Sequence, residues 1–399
     1  MSKKILFIGD PHYKPSNIKD TELLEAQTIF YIKQLQPDFV VNLGDTLDTH
    51  ERIHIGSLAR SVNFMYEISK YTKHIVLIGN HDRKNNSEFL TDVHPFIAST
   101  CGNRNPNIEF VSTGLLMDRI LFVPYVPNGR FKEACDIILK NNSSDYKSID
   151  LIVCHQEFKG VKMGGIISED GDDYSEFEVP IISGHIHETQ IINNIFYPGT
   201  PMLHGFGSRN ECKLAYIELL SPSPSSLTSD NKSDNKSDNK WIESKHKSDK
   251  FDSIINDLFV KFYKKSDTYP KLYSKVYDFA NLRLYLLPIV YRNKITLKFD
   301  IQELKFLTKD SDEIKQLEKI AVYLNDYTEY KIVIYDNNSK ITKKSIIDKL
   351  SKYIKDVIVK KEDTDASETK IEFSKFKSFK ENVISKLSDD ERRLFKKLL

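Results

Sequence analysis

After Cys212 the chain contains no glycine, no cysteine and a single histidine, His246. A phosphate-cradling glycine loop, thiol chemistry and a histidine-rich metal site are thereby excluded from that whole remainder. The four cysteines, Cys101, Cys135, Cys154 and Cys212, show no Cys-x-x-Cys spacing. That argues against a disulfide or zinc framework and for a reducing, intracellular setting, cytoplasmic or nuclear, with a viral or phage source equally compatible. No apolar run approaches the ~20 residues of a membrane-spanning helix, and the opening Met-Ser-Lys-Lys leads straight into a strand-like run rather than a secretory signal. Net charge is almost absent too, at +1, but only by cancellation: 21 basic against 28 acidic residues up to residue 220 leave −7, and 37 against 29 beyond it leave +8. A chain of 399 residues is expected to hold two or three domains.

What is present comes in two styles. Residues 1–220 alternate short aliphatic runs with helical spacing: Ile5 to Ile8, Thr21 to Leu35, Phe39 to Leu43, Ser57 to Tyr71 and Ile75 to Ile78. Further strand candidates follow at Arg119 to Val123, Leu151 to Cys154, Ile181 to Ser183, Ile191 to Tyr197 and Leu214 to Leu220. This is the rhythm of an α/β domain, in which polar strand ends carry the chemistry. Residues 221–240, with Ser-Asp-Asn-Lys in tandem repeat, read as a low-complexity linker. Residues 241–399 read as a basic α+β region, with helical stretches at Phe251 to Lys264, Asp312 to Leu324 and Lys344 to Ile354, and strand-like runs at Leu282 to Tyr291, Lys294 to Phe299 and Lys331 to Tyr335. Near the end Phe373, Phe376, Phe379, Val383, Ile384 and Leu387 share one helical face. Ser388 and Glu391 then form a capping box that opens a last short helix. That face either packs into its own region or docks a partner.

Five strand candidates are each followed by a residue type that binds metal. Gly9-Asp10-Pro11-His12 follows the first, Gly44-Asp45-Thr46-Leu47-Asp48 the second and Gly79-Asn80-His81-Asp82 the third; His155 and Gly184-His185-Ile186-His187 follow later ones. Singly, a Gly-Asp pair is commonly a turn and a lone histidine a surface residue. Together they deliver Asp10, His12, Asp45, Asn80, His155, His185 and His187 to one sheet edge. Imidazole with carboxylate and amide oxygen suits two divalent cations, Mn most naturally, with Fe, Mg or Zn also suited. Two such ions sharing a ligand serve phosphoester hydrolysis, because a pair ~3.5–4 Å apart engages both the attacking and the non-bridging oxygens.

In order and spacing these blocks resemble the calcineurin-like metallophosphoesterases, whose signature is Asp-x-His, Gly-Asp, Gly-Asn-His-[Asp/Glu], a histidine, and Gly-His-x-His. The resemblance covers roughly residues 4 to 220 and implies, for the domain 1–220, a sandwich of two sheets flanked by helices. It implies Asp10, His12 and His187 on one metal, Asn80, His155 and His185 on the other, and Asp45 as the bridge. It also implies that His81 contacts the phosphate and protonates or stabilises the leaving oxygen.

Serine/threonine phosphatases of that superfamily continue the second block with Asp-Arg-Gly, whereas here Asp48 is followed by Thr49 and His50. Asp48, the Gly-His-Ile-His-Glu block and Tyr197-Pro198-Gly199-Thr200-Pro201, with His204-Gly205-Phe206-Gly207 after it, resemble the SbcD-type DNA-repair nucleases and the related phage recombination endonuclease subunit. That implies a metal-dependent exo- or endonuclease acting on DNA, a homodimer, and a coiled-coil ABC ATPase partner of the SbcC type docked on the C-terminal face. Asp48, His50 and Arg52 are candidate substrate contacts, and Lys159, Lys162 and Gly164-Gly165 candidate borders of the groove. Two other readings stay open: a phosphomonoesterase or small-nucleotide phosphodiesterase on the same site, and a non-catalytic DNA-end-binding adaptor. Deleting residues 225–240 should leave turnover within two-fold of the intact chain, and a large loss in a steady-state assay would overturn the linker reading.

Overall fold

Side chains alternate across an extended backbone, so a strand that is apolar at every position must be covered on both faces. Strand β1 (Lys3–Ile8) obeys this: Ile5 and Phe7 face one side, Leu6 and Ile8 the other, and all four are buried. The computed structural model describes residues 3–97, 105–206, 211–219, 240–244, 248–262, 274–279, 282–300, 328–335 and 354–360. The chain divides into two units, Met1–Met202 with Asn210–Lys264 and Lys271–Tyr291, and Leu203–Arg209 with Lys265–Pro270 and Arg292–Leu399.

In the first unit β1, α1 (Ile18–Leu35), β2 (Phe39–Asn42), α2 (Ile55–Ser69), β3 (Lys73–Leu77) and β4 (Ile108–Val111) form a run of adjacent parallel strands. A second sheet follows from β5 (Leu115–Met117), β6 (Ile120–Val123), α3 (Phe131–Asn141) and β7 (Leu151–Cys154). After the small hairpin of β8 (Lys162–Met163) and β9 (Ile166–Ile167), it is completed by β10 (Ile181–Ser183), β11 (Gln190–Ile192) and β12 (Ile195–Tyr197). Its order is β11-β12-β10-β7-β6-β5, with β6, β7, β10 and β12 parallel. One hydrophobic layer lies between the sheets, where Ile5, Phe7, Val41, Ile75 and Leu77 share a cluster with Phe122, Val153, Ile182 and Phe196. The alternate residues Leu121, Val123, Ile152 and Cys154 pack on the opposite face with Phe131, Ala134 and Ile138 of α3. The expected α/β sandwich with flanking helices is therefore the fold.

The chain rejoins the sheet of β1 to β4 on both sides of the low-complexity tract, with β13 before it and β14 to β16 after it. β13 (Lys213–Leu219) pairs antiparallel with β1, and β14 (Ile242–Glu243), α4 (Asp249–Phe262), β15 (Lys275–Phe279) and β16 (Leu282–Pro288) follow, giving the order β14-β15-β16-β13-β1-β2-β3-β4. Trp241 is buried against Phe196 and Phe279, with ring centroids 5.4 and 5.3 Å away, and its indole N–H donates to Asn194 O at 3.0 Å. From α1, Tyr31 donates to Pro288 O at 2.7 Å and Gln27 exchanges hydrogen bonds with Val290 of 2.7 and 2.6 Å. Residues up to Lys264 and Lys271–Tyr291 group with the first unit, so the two units do not part at the expected boundary of residue 240. Composition marks where the chain is solvated, whereas β13 needs a partner on its far edge whatever the sequence distance.

Two other expectations differ in detail. The run Ile191 to Tyr197 is two strands, because Asn193 turns the chain with φ 50°. The helix Phe131–Asn141 has no counterpart in the strand-and-helix reading. The second unit holds a three-stranded parallel sheet of β17 (Asn293–Asp300), β18 (Thr328–Tyr335) and β19 (Ile354–Lys360), in which buried Lys294 and Glu329 face each other across β17 and β18 with an ion pair of 3.3 Å. The helical stretch expected at 312–324, nearly all of that expected at 344–354, and the apolar face from Phe373 to Leu398 lie outside the described residues.

His74 on β3 is 1% exposed, and burial pushes its pKa down to about 3, with only the Met65 backbone pulling the other way. The unfolded chain takes up this proton below pH 6.5 and the folded chain resists it, so stability is present above pH 6.5 and drains away as pH falls towards 3. His74→Leu should therefore lose about 1.4 kcal/mol less than the parent chain between pH 7.5 and 5.5 in urea titrations. Equal losses would show that His74 is not the sensitive group.

Candidate metal centre

β1, β2 and β3 are neighbours in one sheet, and β7 and β10 in the other. Their C-terminal ends open at one edge of the sandwich, so Asp10, His12, Asp45, Asn80, His81, His155, His185 and His187 leave the strands at the same rim. Tight turns aim them inward, and the turns are strained. His12, Asp45 and His185 have positive φ of 44°, 46° and 75°, a left-handed backbone that costs non-glycine residues about 1–3 kcal/mol each and clusters at functional sites. Two glycines make room. Gly44 has φ 112°, and a Cβ on it would stand 2.3 Å from His155 Nδ1; a Cβ on Gly79 would stand 2.2 Å from Asp45 N.

Asp45 lies at the middle of the constellation. Its Oδ2 is 3.6 Å from His12 Nε2 and 4.0 Å from His81 Nε2, while its Oδ1 is 3.3 Å from His155 Nε2 and accepts from His81 N at 2.9 Å. Two of the groups able to hold a cation are built on it, His12 with Asp45 and His81, and Asp45 with His155 and His185. Asp45 belongs to both. His187 joins the first side through Nε2, 3.1 Å from His12 Nε2. Asp10 is buried with Oδ1 3.7 Å from His155 Nδ1.

The donor chemistry fits divalent cations. Asn80 Oδ1 stands 3.1 Å from both His155 Nε2 and His185 Nδ1, and 3.3 Å from each oxygen of Asp45. Lone pairs at that spacing repel unless a cation lies among them or the amide turns its NH2 group inward. The other atom of the amide lies 3.4 Å from Asn86 Oδ1. Ligand atoms about 2.1 Å from one ion at right angles stand about 3 Å apart, which is the spacing found here.

Electrostatics are organised around the same carboxylate. Burial opposes ionisation of Asp45, but His155, with His12 and His81, outweighs it and holds the carboxyl well below the usual range. Burial likewise opposes the charged form of His155, yet Asp45 and Asp10 raise it to about 9. Burial and the neighbouring His155 charge push His185 down to about 3, and burial lowers His187 as well. Asp10 is pushed up by burial. The negative charge of Asp45 is thus set directly against the positive charge of His155.

Supporting contacts fix which ring nitrogen faces inward, the outer-shell role that sets ligand orientation. His155 Nδ1–H donates to Leu43 O at 2.8 Å, which leaves Nε2 towards Asp45. His81 Nδ1–H donates to the backbone oxygen of Asp48 at 2.7 Å, which leaves Nε2 towards Asp45. Glu157 lies 3.9 Å from His185 Nε2. Asp82 is the contributor that sequence reading left without a role: its carboxylate accepts from Leu47 N at 2.8 Å, Thr46 N at 3.0 Å and Gly79 N at 3.2 Å, tying the Asp45 turn to the Asn80 turn. Burial, then Asp45, pushes its pKa up to about 7. A carboxylate directly after Gly-Asn-His was its only signal.

The three candidate substrate contacts divide. The Asp48 carboxylate receives Lys14 Nζ at 2.7 Å and lies 3.7 Å from His12 Nδ1, so it backs His12. His50 stacks on His81, with ring centroids 4.6 Å apart. Arg52 lines an adjoining cleft. Of the Tyr-Pro-Gly-Thr-Pro segment, Thr200 N donates to His187 O at 3.1 Å and Pro198 O accepts from the Thr189 hydroxyl at 2.7 Å, which braces the loop that carries His187.

Residues 3–189 match the model of the calcineurin-like phosphoesterases. Over 224 residues the chain is 39% identical to the protein named "Putative phosphoesterase 244L" of Invertebrate iridescent virus 6, covering 55% of this chain and 77% of that one. Over 218 residues it is 37% identical to "Putative phosphoesterase 078R" of Invertebrate iridescent virus 3, covering 52% and 60%. Among solved structures it is similar to Yfce, a phosphoesterase from E. coli, at 12% identity and a TM-score of 0.28, over 54% of this chain and 90% of that one.

Asp82→Ala would free three backbone N–H groups and loosen the Asp45 turn. Metal affinity in a calorimetric titration should fall about 10–100-fold. An unchanged affinity would mean that the turn is held by its glycines alone.

Proposed function

Because this chain belongs to the calcineurin-like phosphoesterases, we propose that its metal centre hydrolyses the phosphodiester bonds of DNA, as the nuclease subunit of a recombination or repair complex. The observation that carries hydrolysis is Asp45, one buried carboxylate common to two cation-binding groups. In this reading Asp10, His12 and His187 take one ion, Asn80, His155 and His185 the other, and Asp45 spans them. Two divalent ions, Mn first among them, would lower the pKa of an attacking water and neutralise charge on the phosphoryl oxygens.

The protein's own groups supply the rest. His81, its Nδ1–H committed to Asp48 O, has Nε2 turned to the centre and can hold a proton there for the departing oxygen. What supports a diester over a monoester is the second block. Thr49 stands where the phosphatases place an arginine on the phosphate, and Lys14 is tied to Asp48. A diester carries one negative charge fewer than a monoester dianion, so it needs no such cation.

This reading calls for a homodimer and for a coiled-coil ABC ATPase of the SbcC type, docked through the apolar face from Phe373 to Leu398, which rests on sequence alone. Truncation after Lys370 should abolish co-purification with such an ATPase, and retained binding would remove that segment from the proposal.

With manganese, the protein should cleave labelled duplex DNA and bis-p-nitrophenyl phosphate and leave p-nitrophenyl phosphate nearly untouched. Robust monoester turnover without DNA cleavage would favour a phosphatase, and DNA binding without any turnover an adaptor. Asp45→Ala should lose both metals and activity. His81→Ala should keep its metals by elemental analysis and lose at least about 100-fold in rate.

A further inference from the structure

A cleft of 490 Å³ opens beside the metal centre, walled by residues 49–52 after the second motif and 84–86 after the third. It touches the centre at two points. His50 stacks on His81 with planes 21° apart, and Asn86 Oδ1 lies 3.4 Å from the side-chain amide of Asn80. Anything bound in the cleft is therefore one side chain away from a candidate ligand and from the histidine that serves the departing oxygen.

The lining is polar and carries excess positive charge. The lining holds Arg52, Lys84 and a single carboxylate, Glu51, and His50, Asn85 and Asn86 add further hydrogen-bonding groups. Among the described residues neither Arg52 nor Lys84 has an ion-pair partner, whereas Arg60, Arg119, Arg130 and Arg283 are each tied to a carboxylate at 2.6–2.8 Å, and Arg83 is buried, donating to Thr91 and Ser112. Both loops are closed on themselves: the Thr49 hydroxyl donates to Arg52 O, and Asn85 Oδ1 accepts from Ser87 N at 2.9 Å. The two cations thus sit on short turns, and the one carboxylate of the lining, Glu51, pairs with neither. The volume falls within the about 300–1,000 Å³ of small-molecule sites, enough for one nucleotide.

We propose that this cleft is a subsite for the leaving strand, in which Arg52 and Lys84 take the phosphate next to the scissile one and so select a polynucleotide over an ester with a single phosphate. The proposal rests on the DNA-cleaving reading and adds where the strand lies and which residues choose it. It makes Lys84 a specificity residue that the sequence motifs did not single out. Charge-assisted contacts to phosphate position a strand without reading its bases, so the preference is for the polymer and not for a sequence.

The test is the double substitution Arg52→Ala with Lys84→Ala, assayed with manganese on single-stranded oligothymidylate and on bis-p-nitrophenyl phosphate, which has one phosphate. Loss of kcat/KM on the oligonucleotide should exceed the loss on the small diester at least ten-fold and lie mainly in KM. The slope of log kcat/KM against log salt should flatten by about 0.7 per cation removed. Metal content and melting temperature should match the parent protein, since both side chains are exposed. Equal losses on the two substrates, or an unchanged salt slope, would overturn the subsite while leaving the nuclease reading in place. A parent protein that hydrolyses the small diester and leaves every oligonucleotide intact would overturn the nuclease reading, and the subsite with it.

Discussion

One buried carboxylate holds a negative charge in a site where desolvation opposes it, and much of the first unit is arranged around that charge. Asp45 is 2% exposed, and His12, His81 and His155 approach it from three different chain segments. Burying an ion without partners would simply return its proton. Here histidine and backbone N–H surround it, and two divalent ions would replace the shared proton with fixed positive charge. The left-handed backbone at His12, Asp45 and His185 is what the surrounding sheets hold in place.

The sandwich supplies that rigidity. Because β1, β2 and β3 are adjacent and parallel, three motif turns leave one sheet at one end, and β7 with β10 brings two more from the other. The hydrophobic layer between the sheets fixes their spacing, and so the distance between the two halves of the centre. β13 covers the far edge of β1 and β16 that of β13, so polypeptide on both sides of the low-complexity tract serves the first unit.

Much of this was legible in the chain. Aliphatic runs of three to seven residues announced most of the strands because nearly all of them are buried on both faces, and a glycine or polar turn after most runs announced the strand ends. The missed helix Phe131–Asn141 has a simple reason: Cys135, Ala134 and a mix of lysines and acids dilute its apolar spacing, although Phe131, Ile138 and Leu139 are buried in the structure. That Asp48 is flanked by Lys14 and His12 was not legible for a related reason, since sequence shows a carboxylate near a motif but not its neighbours in space.

The sequence by itself determined the chemistry on offer: seven metal-binding side chains after five strands, a histidine beside the asparagine, and no arginine in the second block. These follow from local pattern, because strand periodicity and turn residues are properties of neighbours along the chain. Only the tertiary structure decided which atoms converge, that Asp45 offers one oxygen to each side, that Asp82 ties two turns together, and that Arg52 and Lys84 meet across a cleft. Those relations join residues tens of positions apart, and only the packing of one sheet on the other sets their distances.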